Sequence, residues 1–292
     1  MREIYPKTIL NPMKVYNKNV YRQYNMNIFR GCQHGCIYCD SRSECYGIDD
    51  FENVQVKINA LTLIKKELSK KRKKGVICCG SMSDPYIPME MKLGMFRNIL
   101  EVISAKGYGI HIITKSDKIV RDIDILRKMK FVYVLVTLTT VFDELAKMVE
   151  PNAPLPSERL KAIKALSENG INVGVTLMPV LPFIEDSEEN IRNIVNASYL
   201  MGARDICPAF GVTLRDRQRA YFYSKLEKMF PGMKEKYIST YGNSYQCYSK
   251  NNLQLWNVLK YETKKRKMRI MRGLYDVEFP RYENESNQMK LF

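Results

Sequence analysis

The feature that most constrains the fold is a rhythm that runs from residue 76 to residue 229. Short apolar runs rich in Val and Ile, at 76–80, 108–113, 131–137, 171–177 and 204–210, alternate with helical stretches at 89–106, 118–129, 156–169, 187–201 and 215–229. Gly170 follows the third helix at the position where a left-handed cap belongs, and Ser187 with Glu188 and Glu189 opens the fourth. Near-continuous β-branched runs belong to strands buried on both faces. Such strands, separated by helices, build βα units around a parallel sheet. A further short strand is expected at 26–29, and a helix at 57–74, where apolar positions 58, 61, 64 and 68 keep helical spacing. The count comes to about six units. The expected fold class is α/β, a partial (β/α)6 barrel of the TIM type, with its chemistry at the C-terminal ends of the strands.

The loop after the first expected strand falls on that face. It reads Asn27-Ile-Phe-Arg-Gly-Cys32-Gln-His-Gly-Cys36-Ile-Tyr-Cys39-Asp-Ser-Arg42. Three thiolates at this spacing can hold a cubane-like iron–sulfur cluster and leave one iron open for a second molecule. Two other readings of the loop stay open: a zinc site with His34 as fourth ligand, or a closed cluster with Cys45 as fourth thiolate. Arg42 is placed to support either the cluster or Glu44.

The chain has 292 residues, enough for one large domain with appendages. The expected division is a lead-in at 1–25, a core at 26–230 and an extension at 231–292. The extension interleaves Tyr237, Tyr241, Tyr245, Tyr248, Trp256 and Tyr261 with basic residues and ends in a polar tail at 283–288. Formal net charge is +16, which favours polyanionic partners, nucleic acid first. The basic run at 70–74 also suits the C-terminal end of a helix. No apolar run is long enough to span a bilayer, and the N-terminal residues lack the apolar core of a signal peptide. The expected location is cytoplasmic, where most of the eight cysteines would be ordinary thiols.

The Cys32-x3-Cys36-x2-Cys39 spacing, with Tyr38 before the last cysteine, resembles that of the radical S-adenosylmethionine superfamily. The resemblance implies a [4Fe–4S] cluster ligated by Cys32, Cys36 and Cys39. S-adenosylmethionine would chelate its fourth iron through amino and carboxyl groups. An external one-electron donor of the flavodoxin or ferredoxin kind would drive cleavage to methionine and a hydrogen-abstracting 5′-deoxyadenosyl radical. The stretches Ser81-Met-Ser-Asp84-Pro-Tyr86 with Glu90, Thr114-Lys115-Ser116, Arg121-Asp122, Glu150-Pro151, Glu158-Arg159 and Pro179-x-x-Pro182 are similar to the spore photoproduct lyase-like group within that superfamily. By that resemblance Ser83, Asp84, Lys115 and Thr137, together with Tyr38, contact S-adenosylmethionine. A carboxylate suits its amino group, and Lys and hydroxyl suit its carboxylate.

The chain departs from the group at three places. Ser81 stands where the lyase has its hydrogen-donating cysteine, and an O–H bond is too strong for that task. Asp40 stands where the lyase has a tyrosine after the third cluster cysteine. Residues 174–179 match the superfamily's Gly-rich adenine motif poorly. Cys79 is the nearby candidate hydrogen donor, and of Cys78 and Cys79 one must face the barrel interior, because side chains alternate along a strand. His111, mid-strand, reads as a core histidine, and Cys207 as a buried thiol. The expected activity is radical abstraction of hydrogen from a DNA or RNA substrate. The alternatives are the same chemistry on a peptide, protein or small metabolite, and a zinc or iron–sulfur nucleic-acid-binding module without enzymatic activity.

Overall fold

A computed structural model describes residues 2–13, 23–71 and 74–277. Part of the basic run at 70–74 and all of the polar tail at 283–288 lie outside the described residues. The main sheet has eight strands: β1 (Leu10–Pro12), β2 (Gln23–Met26), β3 (Val76–Cys79), β4 (Gly109–Thr114), β5 (Val132–Thr137), β6 (Asn172–Leu177), β7 (Asp205–Pro208) and β8 (Arg269–Ile270). They lie side by side in chain order. Every pairing from β2 to β8 is parallel, and β1 adds to β2 antiparallel. The order ends at β1 and β8 without closing, so the fold is α/β with a partial barrel.

The pleat divides the strand residues into two sets. Met26, Ile77, Cys79, Ile110, Ile112, Val134, Val136, Val173, Val175 and Ile206 turn outward and form the main core. The helices α1 (Ala60–Lys70), α2 (Met95–Ala105), α3 (Pro156–Glu168) and α4 (Glu188–Leu200) fill that core from outside with Ile64, Ile99, Ile163 and Ile191. All four of these isoleucines are fully buried, each worth about 2 kcal/mol of transfer free energy. Cys78, Ile113, Tyr133, Leu135 and Cys207 turn inward, where Met271 and Val277 from the chain's far end pack against them.

Three expected elements differ. The first parallel strand is Gln23–Met26, earlier than the expected 26–29, because Phe29–Arg30 leaves the sheet to pair with Gln55–Lys57. The helix expected at 89–106 is two helices, Pro88–Leu93 and α2, parted by Gly94 at φ 60°. The helix expected at 118–129 is a 3-10 stretch, Asp117–Asp122, followed by one α turn, Ile123–Leu126. A helix at Asp143–Val149 was not expected.

Three more helices follow β7: α5 (Asp216–Met229), α6 (Met233–Tyr241) and α7 (Asn252–Arg266). α7 packs on α4 and leads into β8, where Arg269 Nε pairs with Asp205 at 2.8 Å. α5 and α6 lie over the cysteine loop, as described below. Among the described residues, no helix is long and apolar enough to cross a membrane.

Candidate active site

The cysteine loop leaves Phe29–Arg30 through Gly31, whose φ of 86° few side chains tolerate. A Cβ there would also lie 2.4 Å from the Phe51 carbonyl oxygen. This close approach lets the Cys32 N–H donate to that carbonyl at 3.4 Å. Further on, the Ile37 N–H donates to the Val149 carbonyl at 3.0 Å, fixing the loop's centre beneath the end of the Asp143–Val149 helix. Cys36 is buried, and Cys32 and Cys39 are half-buried.

Burial pushes the Cys32 thiol up to about 12, with Asp84 adding to it. Burial also raises Cys36 and Cys39, while the Lys115 ammonium opposes it at both. Without a metal these thiols stay protonated. Thiolate formation would need a metal to displace the protons, with Lys115 offsetting the charge. Among the described residues, no three His, Cys, Asp or Glu side chains converge on a point as one ion requires. A cubane places each thiolate on a different iron and makes no such demand. The donor set of three neighbouring thiols beside a cation fits a cluster.

The imidazole of His34 does not join the thiols. It lies against Asp84, Nδ1 to Oδ2 at 3.5 Å. Cys45 is exposed. Arg42 pairs with Glu52 at 2.9 Å, not with Glu44, and its guanidinium lies 3.7 Å over the Tyr221 ring.

The strand ends bring the expected contacts to the loop. Ser83, in the loop after β3, donates its hydroxyl to the Gly31 carbonyl at 2.6 Å. Asp84 is buried, and its oxygens accept from the Tyr86 N–H at 2.8 Å, the Thr114 hydroxyl at 2.8 and 2.9 Å, and the Lys115 N–H at 2.7 Å. Lys115, just past β4, sends Nζ to within 3.8 Å of Glu150 Oε1 and 5.6 Å of the Tyr38 ring centre. Burial alone would lower the Lys115 ammonium, but Cys36 and Glu150 outweigh it and hold it raised. Thr137, at the end of β5, accepts from the Thr176 hydroxyl at 2.7 Å, and both are buried.

Two residues tie these pieces together that sequence reasoning gave no role. Glu150 accepts from the Tyr38 hydroxyl and pairs with Arg159. Arg159 also donates to the carbonyls of Thr137 at 3.0 Å and Pro154 at 2.7 Å. Burial would raise the Glu150 carboxyl, but Arg159 and then Lys115 hold it low. The signal for Arg159 was present: it occupies the inward stripe of α3 with Pro156, Ala162, Ile163 and Leu166. An Arg on such a stripe needs a buried partner.

A third residue, Glu185, had no signal. It is buried in the turn before α4, accepting the Leu181 N–H at 2.9 Å. Burial raises its carboxyl to about 8 against the hydroxyl of Thr139 and that N–H.

Cys79 is placed differently from what a hydrogen donor requires. Its side chain faces the helix layer, with Met26 and Phe96 beside it, and its Sγ points to the His111 carbonyl at 3.6 Å. The alternation along β3 puts Cys78 inside instead. His111 is a core residue, edge-on to Tyr133 and Tyr275, and burial lowers its imidazole to about 3.

The helices after β7 cover the loop. Gln218 of α5 donates to the Tyr38 carbonyl at 3.1 Å, Arg215 pairs with Asp40 at 2.7 Å, and Asp216 accepts from Ser43 at 2.6 Å. Phe222 of α5 and Tyr237 of α6 pack in one cluster with Cys36 and Tyr38.

The chain is similar to several known proteins. A protein of Methanocaldococcus jannaschii is 35% identical over 189 residues, 64% of this chain and 70% of its own. One from Mycobacterium tuberculosis is 29% identical over 229 residues, 75% of this chain and 67% of its own. The fold is similar to that of spore photoproduct lyase complexed with dinucleoside spore photoproduct, at TM-score 0.67 and 14% identity over 92% of this chain and 80% of the other. It is also similar to that of a radical S-adenosylmethionine methyltransferase of Kitasatospora setae with cobalamin and a [4Fe–4S] cluster bound, at TM-score 0.55 and 13% identity over 90% of this chain and 54% of the other. The model of the radical SAM superfamily matches residues 26–195, from the end of β2 into α4, and the chain is a member of that family of enzymes.

Proposed function

We propose that the protein holds a [4Fe–4S] cluster on Cys32, Cys36 and Cys39 and uses it with S-adenosylmethionine to abstract hydrogen from a nucleic-acid substrate. One observation carries the cofactor reading: three neighbouring thiols sit at the C-terminal face of a partial barrel, with the Lys115 ammonium close enough to act on Cys36 and Cys39. When bound, the cluster supplies the single electron that cleaves the sulfonium of S-adenosylmethionine.

The chain's own residues prepare the site for a zwitterion. Lys115 offers a cation to its carboxylate. Glu150 holds Lys115 from one side and Tyr38 from the other, so cysteine loop and strand end keep one geometry. Asp84 has its oxygens occupied by Thr114, Lys115 and Tyr86, so its part is to fix the Lys115 backbone. Ser83 ties the loop after β3 to Gly31, and Thr137 with Thr176 supplies a buried hydroxyl pair. The helices α5 and α6 limit water access to the loop from above. Ser81 does not return hydrogen, and Cys79 faces the wrong layer for it.

The nucleic-acid reading draws support from the net charge of +16. The test is anaerobic reconstitution followed by iron analysis and assay of 5′-deoxyadenosine formation. About four irons per chain are expected. Cys32, Cys36 and Cys39 replaced together by Ala should remove both the iron and the product, and persistence of either in that variant refutes the assignment. Deuterium transfer from labelled DNA or RNA into 5′-deoxyadenosine then tests the substrate.

A further inference from the structure

The aromatic side chains beside the cysteine loop form a row. Asp40, next to Cys39, pairs with Arg215 at 2.7 Å. The Arg215 guanidinium lies between two rings, 5.6 Å from the centre of Tyr46 and 5.5 Å from that of Tyr245. The Tyr245 carbonyl accepts the Leu214 N–H at 2.8 Å, beside a small antiparallel sheet of Gly211–Thr213 with Gln246–Tyr248. Tyr248 stands out from that sheet and donates its hydroxyl to Gln246 at 2.7 Å. Its carbonyl accepts the Tyr241 hydroxyl at 2.6 Å. The Tyr241 ring lies 6.0 Å from that of Phe183, in the turn after β6. Phe183 and Tyr241 pack on the cluster that holds Cys36 and Tyr38. The row therefore begins and ends at the face of the barrel that carries the cysteine loop.

Cations accompany the rings. Lys236 Nζ lies 4.4 Å over the Phe183 ring and Lys250 Nζ 5.8 Å over the Tyr241 ring, and both lysines are exposed. Among the described residues neither forms an ion pair. At the inner end, the Asp40 carboxylate is taken up by Arg215 and by the Tyr46 hydroxyl at 2.9 Å. Tyr245 is 45% exposed and Tyr248 52%, so each has ring surface free to be covered.

This combination selects among polyanions. A base covers an exposed ring by stacking, while its phosphate meets an ammonium group. An acidic polypeptide would satisfy the lysines and leave the rings in water. In a duplex the base faces are already stacked on one another, so only an unpaired strand offers them.

We propose that this row is a docking surface for a single strand of nucleic acid, its bases stacked on Tyr245 and Tyr248 and its phosphates beside Lys236 and Lys250. Its link to the reaction rests on the nucleic-acid reading above; the binding itself does not.

The experiment is fluorescence anisotropy of the reconstituted full-length protein with labelled oligothymidylate, oligouridylate, a DNA duplex of the same length, and poly-L-glutamate. The two single strands are expected to bind alike, because bases and phosphates are common to both. The duplex and the polypeptide should bind about tenfold more weakly or worse, the weight of one lost stacking contact. Tyr245→Ala and Tyr248→Ala should each weaken oligothymidylate about tenfold. Tyr261→Ala, exposed on α7 and outside the row, should leave it unchanged. Lys236→Gln combined with Lys250→Gln should reduce the slope of log K on log salt by roughly 1.4, two phosphates at about 0.7 each. If a tyrosine variant does not fold, as its melting temperature shows, the lysine pair carries the test. Duplex or poly-L-glutamate binding as tightly as the single strands, or single strands binding equally to the folded variants, overturns the proposal. Iron content and 5′-deoxyadenosine formation, measured on the same preparation, separate the two readings. Cluster and cleavage without strand binding refute the surface alone, and strand binding without iron refutes the cluster alone.

Discussion

At the scale of single residues, Asp84 and Glu185 show how much a buried carboxyl can decide. The Asp84 oxygens receive two backbone N–H groups and a hydroxyl from three different positions. Asp84→Ala would leave those donors buried and unpaired, at roughly 1–3 kcal/mol each when water cannot reach them. A loss of about 3 kcal/mol in urea unfolding is expected, together with weaker S-adenosylmethionine binding, because Lys115 loses its backbone anchor. Glu185 works through its proton. It titrates at 4.5 in the unfolded chain and at about 8 in the fold. Between these values the folded state keeps a proton that the unfolded state releases. Its contribution is therefore full below 4.5 and is lost as pH rises through about 8. Glu185→Gln should flatten the decline in melting temperature across that window, and an unchanged decline would show that the carboxyl is solvated. The three loop cysteines, Lys115 and Ser83 were legible as residues because spacing and motif single them out. Glu185 was not, since an acidic residue before a helix reads as an ordinary capping position, and only its packing shows that water is excluded.

At the scale of elements, the turns after the strands carry the site, and glycine sets their shape. Gly80 follows β3 at φ 98°, and a Cβ there would meet the Ile113 carbonyl oxygen at 1.8 Å. Backbone cannot yield by that much, so Gly80→Ala should cost about 3 kcal/mol or more and displace Ser83 and Asp84. Denaturant titration checks the cost, and a stable variant with normal S-adenosylmethionine binding would count against this role for the turn. The buried strands β3 to β6 were legible because parallel strands covered on both faces must be apolar nearly throughout. Helix continuity was less so. Gly94 adopts a left-handed conformation that splits the helix expected at 89–106, and a single Gly within helical spacing does not announce this. The 3-10 stretch Asp117–Asp122 took its form from tertiary ion pairs, Arg121 with Glu90 at 3.0 Å and Arg97 with Asp122 at 2.9 Å.

At the scale of the molecule, surface charge and the covering helices set what can approach the loop. With a net charge of +16, binding to single-stranded DNA or RNA should weaken steeply with salt, the slope of log K on log salt being roughly −0.7 per phosphate contacted. Filter binding from low to moderate salt checks this, and salt-independent or absent binding would favour the small-molecule alternatives. The aromatic residues after β7, interleaved in the sequence with basic residues, divide by position. Tyr237 is buried, with its hydroxyl on the Pro182 carbonyl at 2.9 Å, whereas Tyr245, Tyr248 and Tyr261 are exposed. The sequence by itself determined the layered α/β plan, the place of the three cysteines after the first parallel strand, and the chemistry they suit. Those follow from local rules, burial on both strand faces and a fixed thiol spacing. Tertiary structure alone decided which of Cys78 and Cys79 faces inward, that Asp84 is committed to backbone and hydroxyl donors, and that Glu150 with Arg159 joins loop to strand. It also decided that Arg215 lies between the rings of Tyr46 and Tyr245. Each of these depends on residues distant in sequence meeting where water is excluded, and no local pattern encodes such a meeting.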